Sequence, residues 1–183
     1  MRLLITIISS LLILCAFASQ AQKKFTTETG EINFTSNAKL EVIKASSNKI
    51  QGVVDPANGQ FAFIVKIQSF EGFNSNLQQQ HFNERYMETD KYYDATFSGK
   101  IVEQVDFSKD GSHDVNAKGV LIIHGVKQLR IIPSKMHIEK GKMKIVSNFA
   151  IPLADHNIKI PTIVSEKIAT EILVSLNIVM IRK

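Results

Sequence analysis

Gln60–Phe70, QFAFIVKIQSF, alternates along its whole length. Phe61, Phe63, Val65 and Ile67 fall on one face of an extended chain, and Ala62, Ile64, Lys66 and Gln68 on the other. Alternation over this many residues predicts a strand with one buried side. The turn in front of it, Asp55-Pro56-Ala57-Asn58-Gly59, supplies a fixed proline φ and an Asn-Gly pair that accepts positive φ. Upstream, Ile32 and Phe34 oppose Glu31, Asn33 and Thr35 in the same way. Downstream, DATFSGKIVEQ, DVNAKGVLIIHG, KQLRIIPSKMHI and KMKIVSNFAI repeat the pattern, and the last two flank Glu139-Lys140-Gly141-Lys142 as a hairpin turn. The C-terminal EKIATEILVSLNIVMI reads as one long strand with Ile168, Thr170, Ile172, Val174, Leu176, Ile178 and Met180 on a common face. About eight strands joined by short links result, which suits either a sandwich or an up-and-down barrel. Closure into a barrel removes open edges, and eight strands is the size at which a barrel holds one small ligand.

One segment breaks the alternation. In HFNERYMETDKYYDATFSGKI, His81–Ile101, a charged and aromatic stretch runs into a strand beginning near Asp94. Asn74 or Ser75 can cap a helix, and NLQQQHFNERYME contains no Gly, Pro or β-branched residue. At helical spacing Gln78, Phe82 and Tyr86 share one side, Leu77 and His81 form the adjacent row, and Glu84, Arg85 and Glu88 are left for solvent. So short a helix is unstable alone in water and must rest its aromatic side on the sheet. In a barrel the natural place for it is across one mouth.

The N-terminus carries the features of a targeting segment. Arg2 precedes an apolar run from Leu3 to Phe17, and Ser19-Gln20-Ala21 places small residues at a signal peptidase site. A membrane anchor, or lipid attachment at Cys15, are the alternatives. The apolar run is shorter than the ~20 residues of a span, and Leu14 stands where lipoprotein processing wants a small residue. Cleavage after Ala21 leaves residues 22–183 as one domain without any cysteine, and lowers the net charge from +5 to +4. The lysines are scattered, without the block that nucleic-acid binding favours.

Catalytic signals are missing from the sequence. There is no Gly-x-Ser-x-Gly elbow, phosphate loop or zinc-protease helix. His81 and Glu84 could approach a metal from one helix face, but His113, His124, His137 and His156 lie on separate segments. His124, beside Gly125 at a strand end, is expected to serve the turn backbone. No catalytic residue, metal or cofactor is expected.

The helix-strand block HFNERYMETDKYYDATFSGKI, with GVLIIHGVKQLRIIP and FAIPLADHNIKIP following in order, resembles the YceI-like family of exported bacterial proteins, in particular its Bacteroidetes-type members. The resemblance runs from about Phe25 to Ile181 and departs from the family at Tyr93, where proline is usual. It implies an all-β, eight-stranded antiparallel lipocalin-like barrel with a short helix insert closing one mouth. It also implies an elongated apolar cavity suited to a polyisoprenoid chain. The inward faces then offer Ile32, Phe34, Phe61, Phe63, Val65, Ile67, Phe97, Ile101, Phe149 and Ile151, and the mouth offers His81, Phe82, Tyr86 and Tyr92.

The expectation is therefore a non-enzymatic protein of the periplasm or cell envelope that binds, carries or sequesters an isoprenoid-type lipid or quinone. Among the candidate ligand contacts are Phe34, Phe61, Phe63, Val65, Ile67, His81, Phe82, Tyr86, Tyr92, Phe97 and Phe149. Two alternatives stand beside it: a filled barrel serving as a stress-related envelope module for a protein partner, and an accessory that acts on a bound quinone. Oligomeric state is open, a dimer included.

Overall fold

A computed structural model describes residues 23–183. The targeting segment read over residues 1–21, with Cys15, lies outside the described residues. Nine strand segments follow in order: β1 (Phe25–Asn37), β2 (Val42–Ser47), β3 (Gln51–Val54), β4 (Gln60–Lys66), β5 (Asp94–Ile101), β6 (Gly111–Ile123), β7 (Val126–Glu139), β8 (Lys142–Pro152) and β9 (Glu171–Arg182). Every pairing is antiparallel, and β9 pairs back to β1, which closes the sheet.

The barrel has eight staves because β2 and β3 are one interrupted strand. Ile32 pairs Ser47 and Phe25 pairs Val54, so both segments keep a single register along β1, with a break at residues 48–50. A bulge in β1 between Thr27 and Thr29, opposite β9, shifts the side-chain alternation by one. Phe25 on one side of it and Ile32 and Phe34 on the other consequently all pack into the interior.

Two hairpins are as tight as hairpins can be. His124-Gly125 joins β6 to β7 and Lys140-Gly141 joins β7 to β8, with φ of 51° and 72° in the first and 48° and 76° in the second. Two successive positive φ values match the twist of the flanking strands. In the first turn Gly125 is further required by packing, because an added Cβ would lie 2.5 Å from the Tyr92 ring.

Antiparallel connectivity sorts the links to two ends. The turns at 55–59 and 140–141 and the loop 102–110 lie at one end; the 38–41 and 124–125 turns and the long segments 67–93 and 153–170 lie at the other. The first end is closed by Phe25, Met136, Met143 and Met180, all at most 1% exposed, and by Phe107 from the loop. Phe107 lies 6.2 Å from the Phe25 ring, and its carbonyl accepts from Arg182 Nη2.

Two expected strands are shorter in the structure. The strand read through Phe70 ends at Lys66, because Ile67–Ser69 turn into a 3-10 helix. The last strand begins at Glu171. Ile168 and Thr170 precede it, since Pro161 starts a helical turn in which Lys167 N and Ile168 N both donate to Val164 O. Branched side chains favour strands only where a partner strand is present, and this stretch has none.

Candidate ligand-binding cavity

The expected helix forms. Asn76–His81 is α-helix (α1), and Phe82–Tyr86 continues it as a π turn. Ser75 caps it, its hydroxyl accepting from Gln78 N at 3.1 Å. The side chains point as helical spacing predicts. Gln78, His81, Phe82 and Tyr86 face inward to the cavity, Leu77 borders it at the mouth with 59% of its surface exposed, and Glu84, Arg85 and Glu88 are exposed.

The insert is held at both ends. At its start Asn74 Nδ2 and Gln78 Nε2 donate to Glu41 Oε1 of the β1–β2 turn at 3.2 and 3.0 Å. At its finish Glu88, in a positive-φ conformation, accepts from His124 Nε2 at 2.6 Å. His124 Nδ1 meets His156 O of the 153–170 segment at 3.1 Å, so one imidazole ties both long segments of this end to the β6–β7 turn. Rather than serving the turn backbone as expected, the His124 ring reaches out of the turn to the Glu88 carboxylate and the His156 carbonyl. Between these ends Phe82 stacks on Phe34 at 5.4 Å, with Phe73 at 5.0 Å and Phe70 at 6.3 Å completing an aromatic cluster beneath α1.

Under the cluster lies a cavity of about 580 Å³, inside the range of small-molecule sites. Its inner wall is apolar and comes from every stave, for example Ile32, Val54, Phe63, Phe97, Leu121 and Ile145. Several inward side chains, Phe34, Phe63, Phe97, Phe149 and Leu176 among them, are only partly buried although they face the middle of the barrel. They border empty space, so the interior is hollow and the filled-barrel expectation does not hold.

Polar groups in the wall are few. Ser147 Oγ donates to Pro133 O at 2.6 Å, and Ser36 Oγ accepts from Ala169 N at 2.9 Å. A buried hydroxyl bonded to backbone is satisfied and makes little demand on a ligand. The ionisable residues of the lining are Glu41, His81, Tyr86 and Lys167, and all four belong to segments at the open end. The site is built to bury hydrocarbon and to let polarity appear only where water enters.

Of the residues expected to contact a ligand, Phe34, Phe61, Phe63, Val65, Ile67, His81, Phe82, Tyr86, Phe97 and Phe149 line the cavity. Tyr92 does not. The chain has left the insert by then, and the ring packs outside the cavity, edge-on to His124 at 4.5 Å and against Gly125. Leu153, Ile158, Val164 and Lys167 also line the cavity, and strand periodicity gave no hint of them; Ile168, read as part of the last strand, lines it from the helical turn before that strand. The available signal was the pair of prolines, Pro152 and Pro161, bracketing a stretch rich in Ile that lacks period-two order.

His81 and Glu84 do not converge on a third ligand. Glu84 is exposed and accepts from Gln80 Nε2, and no cluster of three or more His, Asp or Glu suited to a metal occurs among the described residues. His156 is fully buried in the space between the upper parts of β7 and β8. Burial pushes its imidazole below the ordinary histidine range, and neither ring nitrogen completes a hydrogen bond. Beside it Gln128 Nε2 and Arg130 Nη1 bond Asp155, which fastens the 153–156 turn over that gap.

Comparison with known proteins places this geometry. The fold is similar to a polyisoprenoid binding domain from Saccharophagus degradans implicated in plant cell wall breakdown, with a TM-score of 0.72 at 16% identity over 88% of this chain and 99% of that one. It is also similar to Burkholderia cenocepacia BcnA, with a TM-score of 0.68 at 16% identity over 82% and 95% of the two chains. A YCEI protein from Campylobacter jejuni gives a TM-score of 0.56 at 19% identity over 71% and 78%. Among curated protein sequences none matches significantly. The model of the YceI-like domain matches residues 17–180, nearly the whole chain, and the protein belongs to that family.

Proposed function

We propose that the protein binds a long isoprenoid-type lipid in its barrel and carries or sequesters it in the cell envelope, without performing chemistry on it. The observation that carries this reading is the cavity itself, about 580 Å³ and apolar throughout its depth, with ionisable side chains only at its mouth. Each buried methylene-sized group contributes about 0.8 kcal/mol. Ten of them supply roughly 8 kcal/mol of gross burial, against which stands the cost of immobilising the chain, so a long tail binds tightly and a short one does not. The structural likeness to a polyisoprenoid binding domain supports the choice of an isoprenoid over other hydrocarbons. The leader-like residues 1–21 support export, with a mature N-terminus at Gln22.

Native mass spectrometry of protein purified from its own host, followed by solvent extraction of any bound mass, tests the proposal. A stoichiometric isoprenoid adduct supports it and names the head group, quinone or polyprenyl phosphate. A bare protein that also fails to take up added quinones and polyprenyl phosphates refutes it. The same spectrum reads the mature mass, and a chain beginning anywhere far from Gln22 removes cleavage after Ala21.

A further inference from the structure

The cavity's open end is bordered by three segments locked to one another. Leu40 N donates to Glu166 O at 2.9 Å and Lys39 Nζ pairs with Glu166 at 2.9 Å, which joins the β1–β2 turn to the 162–168 segment. Glu41, next in sequence, accepts from Gln78 of α1. Glu41, Leu77, Val164 and Lys167 all line the same cavity, so the three segments surround one opening.

Each segment carries a large aliphatic side chain turned to solvent: Leu40 is 62% exposed, Leu77 59% and Ile163 92%. Scattered exposed aliphatics are ordinary, but three on separate segments around the entrance to an apolar cavity form a rim. Charge does not compete with it. Lys39 and Glu166 neutralise each other, and Glu41 and Lys167 balance. The opposite end is closed by Phe25, Phe107, Met143 and Met180, none of which lines the cavity, so no opening is seen there among the described residues.

We propose that this rim docks onto a phospholipid bilayer, dipping Leu40, Leu77 and Ile163 into the acyl boundary so that a lipid passes between membrane and cavity without crossing water. The proposal rests on the lipid-binding reading above. A bilayer is the occupant that fits because the rim is continuous with the apolar wall of the cavity and has nearly balanced charge. Attachment is by apolar burial and is insensitive to salt.

The test is flotation of the purified protein with phosphatidylethanolamine–phosphatidylglycerol vesicles, comparing wild type with Leu40→Asp, Ile163→Asp and, at the closed end, Val102→Asp. Val102 is 58% exposed, and neither Leu40 nor Ile163 lines the cavity. Burying one such side chain is worth about a factor of ten or more in affinity. The expected result is vesicle binding by wild type and Val102→Asp that persists in ~1 M salt, weakened about tenfold or more by each rim substitution, with any native lipid adduct retained in every variant. Binding lost in high salt, or weakened equally by Val102→Asp, overturns the docking. So does a rim substitution that breaks a dimer in light scattering while wild type ignores vesicles, because the rim is then a contact between copies. An adduct that persists in a protein indifferent to vesicles overturns docking and leaves the cavity reading standing; a bare protein that takes up no added quinone or polyprenyl phosphate and ignores vesicles overturns both.

Discussion

Phe34 of β1 and Phe82 of the insert stack with ring centroids 5.4 Å apart and planes 22° from parallel. This contact couples the fold to the site, because Phe34, which receives the insert, also lines the cavity. Phe70 and Phe73 approach the same pair, so the insert sits on a small aromatic core of its own.

Truncating Phe82 should therefore cost stability and open the cavity together. A fully buried Phe→Ala costs about 3–5 kcal/mol. Phe82 is partly buried, so Phe82→Ala is expected to lower the unfolding free energy by about 2–3 kcal/mol in urea titration. Phe82→Asp should in addition release bound ligand. Unchanged melting and unchanged ligand retention in both variants would show that the insert does not close the barrel.

The β6–β7 turn offers a sharper test of packing. Gly125→Ala introduces a side chain at φ 72° and drives its Cβ to within 2.5 Å of Tyr92. The backbone conformation alone costs about 1–2 kcal/mol for a residue other than glycine. The remaining cost is steric and should shrink when Tyr92→Ala is combined with it. A double-mutant cycle by chemical denaturation is expected to return a coupling of about 1 kcal/mol; additive effects would mean that Tyr92 swings away freely.

These contacts show what the sequence could and could not disclose. The inward faces of β4, β5 and β8 were legible because alternation survives burial: Phe61, Phe63 and Val65, then Phe97 and Ile101, then Phe149 and Ile151 all point inside. The Ser75 cap and the inward row of Gln78, Phe82 and Tyr86 were legible from helical spacing. Tyr92 and residues 153–170 were not. Their positions depend on tertiary partners: Tyr92 follows the positive-φ His124-Gly125 turn, and Ile168 follows a single helical turn after Pro161. The interruption of the strand at 48–50 was equally silent, since only the common register of β2 and β3 along β1 reveals it.

Acid should destabilise the protein in two stages. Burial lowers the His156 pKa, so the unfolded chain takes a proton first. The associated stability is complete above the ordinary histidine value of 6.5 and declines as pH falls below it. Asp106 is held down to about 2, chiefly by hydrogen bonds from the Ser108 hydroxyl and N–H. Glu103 and Asp55 are lowered mainly by the Asn116 and Ala57 backbone N–H groups. Their support is present above the ordinary carboxylate values of 3.8 and 4.5 and is lost as pH drops toward 2. The thermal midpoint should fall monotonically from pH 6.5 downward, and Glu103→Gln should flatten only the lower stage. A midpoint that climbs on acidification contradicts these assignments.

The depth to which a ligand enters can be read by filling the barrel. Ala117 on β6 lines the cavity, pairs with Ile101 and Ile132, and is only partly buried because open space lies in front of it. Ala117→Phe places a ring into that space. A ring added to a packed core costs about 1–3 kcal/mol; here the hollow accepts it, so the loss should stay under about 1 kcal/mol. A tail that occupies the middle of the barrel must vacate it, and retention of the ligand in native mass spectrometry should fall about tenfold or more, since each displaced methylene is worth about 0.8 kcal/mol. Ala62→Phe, on the outward face of β4, supplies the matched control and should leave retention unchanged. If Ala117→Phe keeps its adduct as wild type does, the tail stops near the mouth, among Phe34, Phe73 and Phe82. The deep half of the barrel is then unoccupied space, and the hydrocarbon that the protein holds is short.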